Sequence, residues 1–543
     1  MSDWNPMILP QLIAQWTEKA PDRDVLTFVD IDKEGRFRDV TRTYRQLWDN
    51  GQRVAQALQE AGMGQGDRFA IIMQNHAEFV DAMVGSGIAN TNFVPIDPRT
   101  QGSKLKFMLD FAECRGALVA DYILPQLQAV LPELEQLEWV WVVPTSDDFS
   151  MPADLPGGRD LREVLAAPVP DLPILAQDET DPMQMLYTSG TTGDPKAIVA
   201  PYARFGAIAS LDGAIGLRED DRPYSGLSLT HANAQLITLG NVLMMGLRGV
   251  FSRKFTKSRL WDICRHYGCT QFNLLGGMTT AIYSEPEKPD DADNPVRYVL
   301  SAGMPPAIWE KFSKRFGVDI FEFYGTAEGG VSMNPPGEGP IGSMGKPPAA
   351  LEAKILDEED NECPPGVQGE LVFRNADGSG CPQVQYYKKP EASAKKTRGG
   401  WFRTGDICHM DEDGWLYFDY RDGDAIRHNG DFVNPTFVEK EVAEYPDVDD
   451  VFVYGVDAAS GVPGERDVVA AVVPRDRGRF DPQALYAHCY ERLERNFVPS
   501  YIQVMDEIPK TASEKPMKRF CAEALKNDPD SVFTDESRTS KRA

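Results

Sequence analysis

Over its first two-thirds the chain alternates short, mainly apolar runs with longer runs of helical periodicity. The apolar runs are 68–73, 92–97, 139–143, 183–187, 271–275, 298–301 and 320–324, and the stretch 77–88 reads as a helix between the first two. Strands that are apolar throughout must be covered on both faces, and helices between them supply the cover. The pattern therefore predicts βα units and an α/β fold of mostly parallel sheets. At 543 residues the chain exceeds what one core organises, so two or more domains are expected.

From residue 351 the pattern changes. Short strands with turn residues between them, 351–356, 369–374 and 414–419, predict a β-rich lobe. The polar break Arg421-Asp422-Gly423-Asp424 suits a hinge. Beyond it, Asn434 offers an N-cap and Pro435 a first-turn proline for a helix over 437–444. Strands at 451–454 and 468–473 and a helix at 482–494 complete a small α+β domain. The expected division is thus 1–421 and 422–543, with a loose tail after about 527.

Charge narrows the partners. With 56 Lys and Arg against 83 Asp and Glu, the net charge of −27 repels a phosphate backbone, so no nucleic-acid partner is expected. No apolar run reaches the roughly 18 residues of a membrane span, and the start has neither the basic nor the apolar region of a secretory signal. The eight cysteines form no CxxC pair and no cluster with histidine. They read as free thiols, which fits a cytoplasmic protein. The oligomeric state is left open, a homodimer included.

The most informative string is Tyr187-Thr188-Ser189-Gly190-Thr191-Thr192-Gly193-Asp194-Pro195-Lys196. Glycines let a backbone approach an anion, consecutive N–H groups and hydroxyls cradle phosphate, and a lysine adds a point charge. It is not a Walker loop, whose glycines and lysine are spaced differently. A second string, Phe321-Glu322-Phe323-Tyr324-Gly325-Thr326-Ala327-Glu328, ends a strand on an aromatic residue and then offers a carboxylate. Ser301-Ala302-Gly303-Met304-Pro305 is a turn after a strand. Trp401-Phe402-Arg403-Thr404-Gly405-Asp406 presents a carboxylate whose two oxygens suit a vicinal diol. Ser228-Leu229-Thr230-His231-Ala232-Asn233-Ala234 places a histidine before the apolar stretch 236–247, and Glu507 to Lys515 brings three lysines close to the C terminus with Lys518.

Together, in this order, these strings resemble the adenylate-forming enzymes, the family that includes acyl- and aryl-CoA synthetases, firefly luciferase and peptide-synthetase adenylation domains. The resemblance runs from about Thr43-Tyr44-Arg45-Gln46-Leu47 to Lys515. It implies a large N-terminal domain and a small mobile C-terminal one, with ATP, Mg²⁺ and coenzyme A as reaction partners. It places Thr188, Ser189, Gly190, Thr191, Thr192, Gly193 and Lys196 on the phosphates, and Ala302, Gly303, Tyr324, Gly325 and Thr326 around the adenine and α-phosphate. Asp406 and Arg421 fall at the ribose, Glu328 and Thr188 at the metal, and Lys515 at the catalytic-lysine position. His231 gates the acid pocket, with Gly276, Gly277, Gly329 and Gly330 leaving space for it. Gly430 matches the loop lining the pantetheine tunnel.

Three positions depart from the family pattern: Ala327 stands for threonine, Glu514 for glycine, and Gly423 for the Asp or Lys of the hinge. The implied function is an acid–CoA ligase that makes an acyl-adenylate, releases pyrophosphate and then forms acyl-CoA and AMP. Ala232 argues against an amino-acid substrate, and the apolar stretch suggests a bulky or medium-to-long apolar acid, as in fatty acid metabolism. The alternatives are a small polar or carnitine-like acid, an acyl-AMP ligase loading a carrier protein, and a non-catalytic adenylate-binding protein.

Overall fold

The computed structural model describes residues 4–146, 148–188, 195–421, 426–428, 431–459, 466–493, 495–511 and 516–535. The chain divides into two compact units, one of residues 1–273, 293–300 and 384–394, the other of residues 274–292, 301–383 and 395–543.

The first unit is α/β. Seven strands form one sheet in the order Arg159–Asp160, Trp139–Val143, Cys114–Ala120, Arg68–Ile72, Asn92–Pro95, Pro182–Thr188, Lys196–Pro201. Every neighbouring pair is parallel except the last, Pro182–Thr188 with Lys196–Pro201. The apolar runs explain this, since Phe69, Ile71, Phe93, Val94, Leu118 and Val140 are buried. Helix Ala77–Ile88 is buried along its length, as a helix without a polar face must be. A second group of strands runs Gln271–Leu275, Pro223–Ser225, Gly249–Ser252, Asp24–Ile31, Phe37–Thr43, with only the last pair antiparallel. Thr43 caps helix Tyr44–Glu60 in a reciprocal box with Gln46.

The second unit carries the β-rich lobe. Its four antiparallel strands are Leu351–Leu356, Gly369–Asn375, Phe402–Met410 and Leu416–Arg421, in that order. The last begins at Leu416 instead of the expected 414, because Gly414 has φ 83° and belongs to the turn. The hairpin Asp319–Gly325 with Val331–Asn334 also lies in this unit. Toward the C terminus, Asn434 caps helix Pro435–Ala443 through the N–H groups of Thr436 and Phe437, as its sequence predicts. Strands Val448–Asp457, Arg466–Pro474, Tyr501–Val504 and Val532–Phe533 form one sheet. One face packs Val453, Val468, Ala470 and Leu485, the other Val469, Ala471, Ile508 and Cys521.

The expected loose tail is corrected in part. Val532–Phe533 pairs antiparallel with Ile502 and Gln503. The Tyr486 hydroxyl donates to Phe533 O at 2.9 Å and the Tyr490 hydroxyl to Asp535 Oδ2 at 2.7 Å. Backbone pairing and two tyrosine hydroxyls, one on the buried Tyr486 and one on the exposed Tyr490, hold a segment whose polar composition suggested none. Among the described residues no helix is long and apolar enough to cross a membrane, and all eight cysteines are free.

Candidate active site

In the second unit, strand register creates a charged cluster. Asp406 and Arg421 sit opposite one another on adjacent antiparallel strands. Arg421 donates from Nε to Asp406 Oδ1 at 2.6 Å and from Nη2 to Oδ2 at 3.1 Å. The Tyr324 hydroxyl donates to the same Oδ2 at 2.5 Å. Asp406 has 0% exposure, whereas the Arg421 side chain is 42% exposed. Burial and the neighbouring Asp406 charge push the Tyr324 phenol well above its ordinary pKa, so it remains a donor. Its ring stacks on Phe373, with centroids 6.3 Å apart and planes 15° apart.

The turn at Gly303 is held from below. Gly303 N–H donates to Glu322 Oε1 at 2.5 Å, and Met304 N–H to Oε1 at 3.2 Å and Oε2 at 3.1 Å. Glu322 is buried, and desolvation raises its pKa to about 8 despite those donors. Gly303 has φ 97°. A Cβ on Gly276, the first residue of helix Gly276–Tyr283, would stand 2.8 Å from Gly303 O. The two backbones meet there, at a distance that only a glycine allows.

Around Glu328 the loop folds on itself. Thr326 Oγ1 donates to Gly329 O at 2.5 Å and accepts from Gly329 N–H at 3.1 Å. The Thr326 hydroxyl thus closes the turn, and Ala327 beside it brings none. Gly325 pairs with Val331 at the hairpin end. Gly330, at φ 73°, has no room for a side chain, since its Cβ would lie 2.4 Å from the Phe373 ring. That glycine therefore accommodates Phe373, the ring that supports Tyr324, in place of an opening for substrate. Gly277 is the second residue of helix Gly276–Tyr283.

Lys396 was not foreseen. Its Nζ donates to Arg403 O at 2.9 Å and Thr404 O at 2.8 Å, just before Asp406. Desolvation lowers its pKa, against the opposing charges of Glu328, Asp406 and Glu370. It lies in no motif, and only its place near the end of helix Pro390–Lys396 marks it.

In the first unit, Thr188 and Lys196 face each other across the last strand pair. The residues joining them, Ser189, Gly190, Thr191, Thr192 and Gly193 among them, lie outside the described residues, as does the side chain of Thr188. Lys196 Nζ stands 5.3 Å from the centroid of Tyr386. His231 is half-buried, and desolvation pushes its pKa down to about 4 while the Asp97 carboxylate opposes. Its Nδ1 accepts from Asn233 N–H at 3.2 Å, so the neutral ring carries its hydrogen on Nε2. Asn75 sets the preceding loop. Its Nδ2 donates to Leu227 O at 2.8 Å and Ser252 O at 2.9 Å, and its Oδ1 accepts from Leu229 N–H at 2.8 Å. The apolar stretch after His231 begins with a π-helix, Asn233–Leu239, whose Leu236 and Leu239 are core residues, as are Val242 and Leu243 beyond it.

Gly430 and Lys515 lie outside the described residues. Flanking Lys515, Lys510 pairs with Pro516 in a β-bridge, and Lys510 Nζ donates to Asp450 Oδ2 at 2.5 Å. That leaves Lys510 engaged in an ion pair.

The second unit thus holds a buried carboxylate met by an arginine and a tyrosine, and a glycine turn held by a buried glutamate. The AMP-binding enzyme family profile matches residues 13–379, and that of the AMP-binding enzyme C-terminal domain matches residues 438–515. The medium/long-chain-fatty-acid–CoA ligase FadD17 of Mycobacterium marinum is 30% identical over 90% of this chain and 92% of its own length. The sulfoacetate–CoA ligase of Cupriavidus necator is 28% identical, covering 93% and 96%. The crystal structure of the anthranilate CoA ligase AuaEII in complex with anthranoyl-AMP superposes with a TM-score of 0.83 at 22% identity, covering 98% of this chain and 99% of that one. The chain therefore belongs to the AMP-binding enzymes, as an acyl- or aryl-CoA synthetase.

Proposed function

We propose that this synthetase binds ATP on the second unit's Tyr324–Asp406–Arg421 cluster and activates a carboxylic acid whose far end is read beside His231. Its reaction partners are ATP, Mg²⁺ and CoA. A free carboxylate is a poor acyl donor because its leaving group would be oxide. Attack of its oxygen on the α-phosphorus of ATP forms acyl-AMP and expels pyrophosphate. The CoA thiol then attacks the acyl carbon, and AMP leaves.

The observation that carries this reading is the Asp406 carboxylate, buried yet met only by donors. It is fixed as an acceptor for ribose hydroxyls, with Arg421 donating to both of its oxygens. Tyr324 and the Gly303 turn supply the adenine surface. Lys196 and the 188–193 segment neutralise the phosphates, and Lys515 adds charge in the first half-reaction. Glu328 fits a Mg²⁺ ligand, because that ion takes one or two protein carboxylates with phosphate oxygens completing its shell. Among the described residues no cluster of three acidic, His or Cys side chains offers a fuller cage. When bound, Mg²⁺ withdraws charge from the triphosphate.

We assign residues 422–543 to a mobile domain that brings Lys515 for adenylation and Gly430 toward CoA for thioester formation. For the acid, the names of the relatives span fatty acids and sulfoacetate, and so support both an apolar and a small polar substrate. The test is a carboxylic-acid panel with ATP and CoA, reading AMP and the thioester by mass. AMP and thioester in equal amounts support the ligase. AMP only after adding a phosphopantetheinylated carrier protein would transfer the second step to that acceptor.

A further inference from the structure

Beside His231 runs a line of buried amides. Gln271 Nε2 donates to Asn273 Oδ1 at 2.6 Å, and Asn273 Nδ2 donates to Asn233 Oδ1 at 2.6 Å. A second pair lies two residues further on, where Gln184 Nε2 donates to Gln235 Oε1 at 2.5 Å and Gln235 Nε2 to Leu229 O at 3.2 Å. Exposures of 3% at Gln271, 2% at Asn273, 5% at Asn233 and 0% at Gln235 put all four in the interior. The first line ends on Asn233 Nδ2, a buried donor with no hydrogen-bond partner among the described residues.

Gln184 Oε1 of the second pair is likewise buried without a partner among the described residues, and a buried polar group left so is destabilising until something bonds it. Asn233 is also tied to the residue expected to face the acid, because its own N–H sets the tautomer of His231. It opens the π-helix Asn233–Leu239, an irregularity that recurs at functional sites. Asn233 Nδ2 is a neutral amide donor, which suits an uncharged oxygen acceptor.

We propose that Asn233, oriented by Asn273, is a specificity-determining residue that hydrogen-bonds an uncharged oxygen on the acid. The substrate is then an oxygen-bearing acid, with a hydroxyl or carbonyl on its chain or ring, in place of a plain hydrocarbon acid. This rests on the reading above that His231 lines the acid site. A site built to bond a substrate hydroxyl discriminates against the analogue lacking it, because its own polar group is then left unpaired.

The test uses matched acids with the full-length enzyme, ATP and CoA: hexanoate against its chain-hydroxylated and oxo counterparts, and benzoate against the three monohydroxybenzoates. At least one oxygenated member should exceed its parent in kcat/KM by roughly tenfold to a hundredfold. Asn233→Leu should bring the two within about threefold. The double variant Asn233→Leu/Asn273→Leu removes both amides together, moves the unpaired donor back to Gln271, and should do the same. ATP affinity and thermal midpoint serve as controls for folding. Equal or better use of the parent acid in every pair, or a preference that survives in both variants, overturns the inference while leaving the ligase standing. Absence of AMP with every acid of a broad panel overturns the inference together with the reading on which it rests.

Discussion

Replacing Asp406 by asparagine keeps the side chain's volume and removes its charge. In the native site three donors converge on that carboxylate, two from Arg421 and one from Tyr324. The amide can accept through one oxygen only, and its NH₂ faces donors. Breaking a fully buried ion pair costs about 3–5 kcal/mol. With 42% of the Arg421 side chain exposed, water screens part of that, and about 2–3 kcal/mol of folding stability is the expected loss. A charge-assisted hydrogen bond to a ribose hydroxyl contributes about 1.5–3 kcal/mol, so the ATP Kd should rise roughly tenfold to a hundredfold. Calorimetric titration of wild type and Asp406→Asn with ATP and with 2′-deoxy-ATP closes a double-mutant cycle. Wild type should discriminate against the deoxynucleotide, and the variant should lose at least about 1 kcal/mol of that discrimination. An Asp406→Asn enzyme that binds ATP within twofold of wild type, or discriminates equally well, would remove Asp406 from the ribose.

Lys515→Ala should slow adenylation about a hundredfold or more, yet leave thioester formation from preformed acyl-AMP within about threefold. Single-turnover assays of each half-reaction check this, and equal slowing of both contradicts domain switching. Lys396→Met should raise the KM for ATP about tenfold with a smaller change in kcat, because the carbonyls of Arg403 and Thr404 lose the cation that fixes the turn before Asp406. Lys396→Arg should recover most of it, and an unchanged KM in the methionine variant refutes the role. Glu322 gives a pH signature. Its pKa rises from 4.5 unfolded to about 8 folded, so the folded protein holds a proton that the unfolded chain releases between those values. Its contribution is therefore complete below about pH 4.5 and lost as pH rises through about 8. Glu322→Gln mimics the protonated acid and should equal wild type near pH 4, then exceed it by about 2–4 kcal/mol at pH 8 and above. Parallel stability–pH curves for the two proteins would show that Glu322 does not titrate in this window.

Much of this was readable in the chain. A strand such as Trp139–Val143 is apolar throughout, and burial on both faces is the one way to satisfy that. Asn434-Pro435 announces its helix because capping chemistry is local. The Asp406–Arg421 pair was legible only through a family pattern, since register across a hairpin sets it. Lys396 escaped notice because its partners are backbone carbonyls, which leave no trace in residue identity. Asn233 and Asn273 are 40 residues apart, and neither lies in a spacing pattern that would predict their contact. Composition alone makes Gly330 open space and the segment after 527 loose, but tertiary partners, the Phe373 ring and strand Tyr501–Val504, decide both.

Acid-dependent exchange of labelled pyrophosphate into ATP, measured without CoA, bears most directly on the acyl-adenylate route. That route predicts exchange with the cognate acid alone, and AMP as the sole nucleotide product once CoA is added. Exchange that waits for CoA, or ADP and phosphate in place of AMP and pyrophosphate, would contradict it.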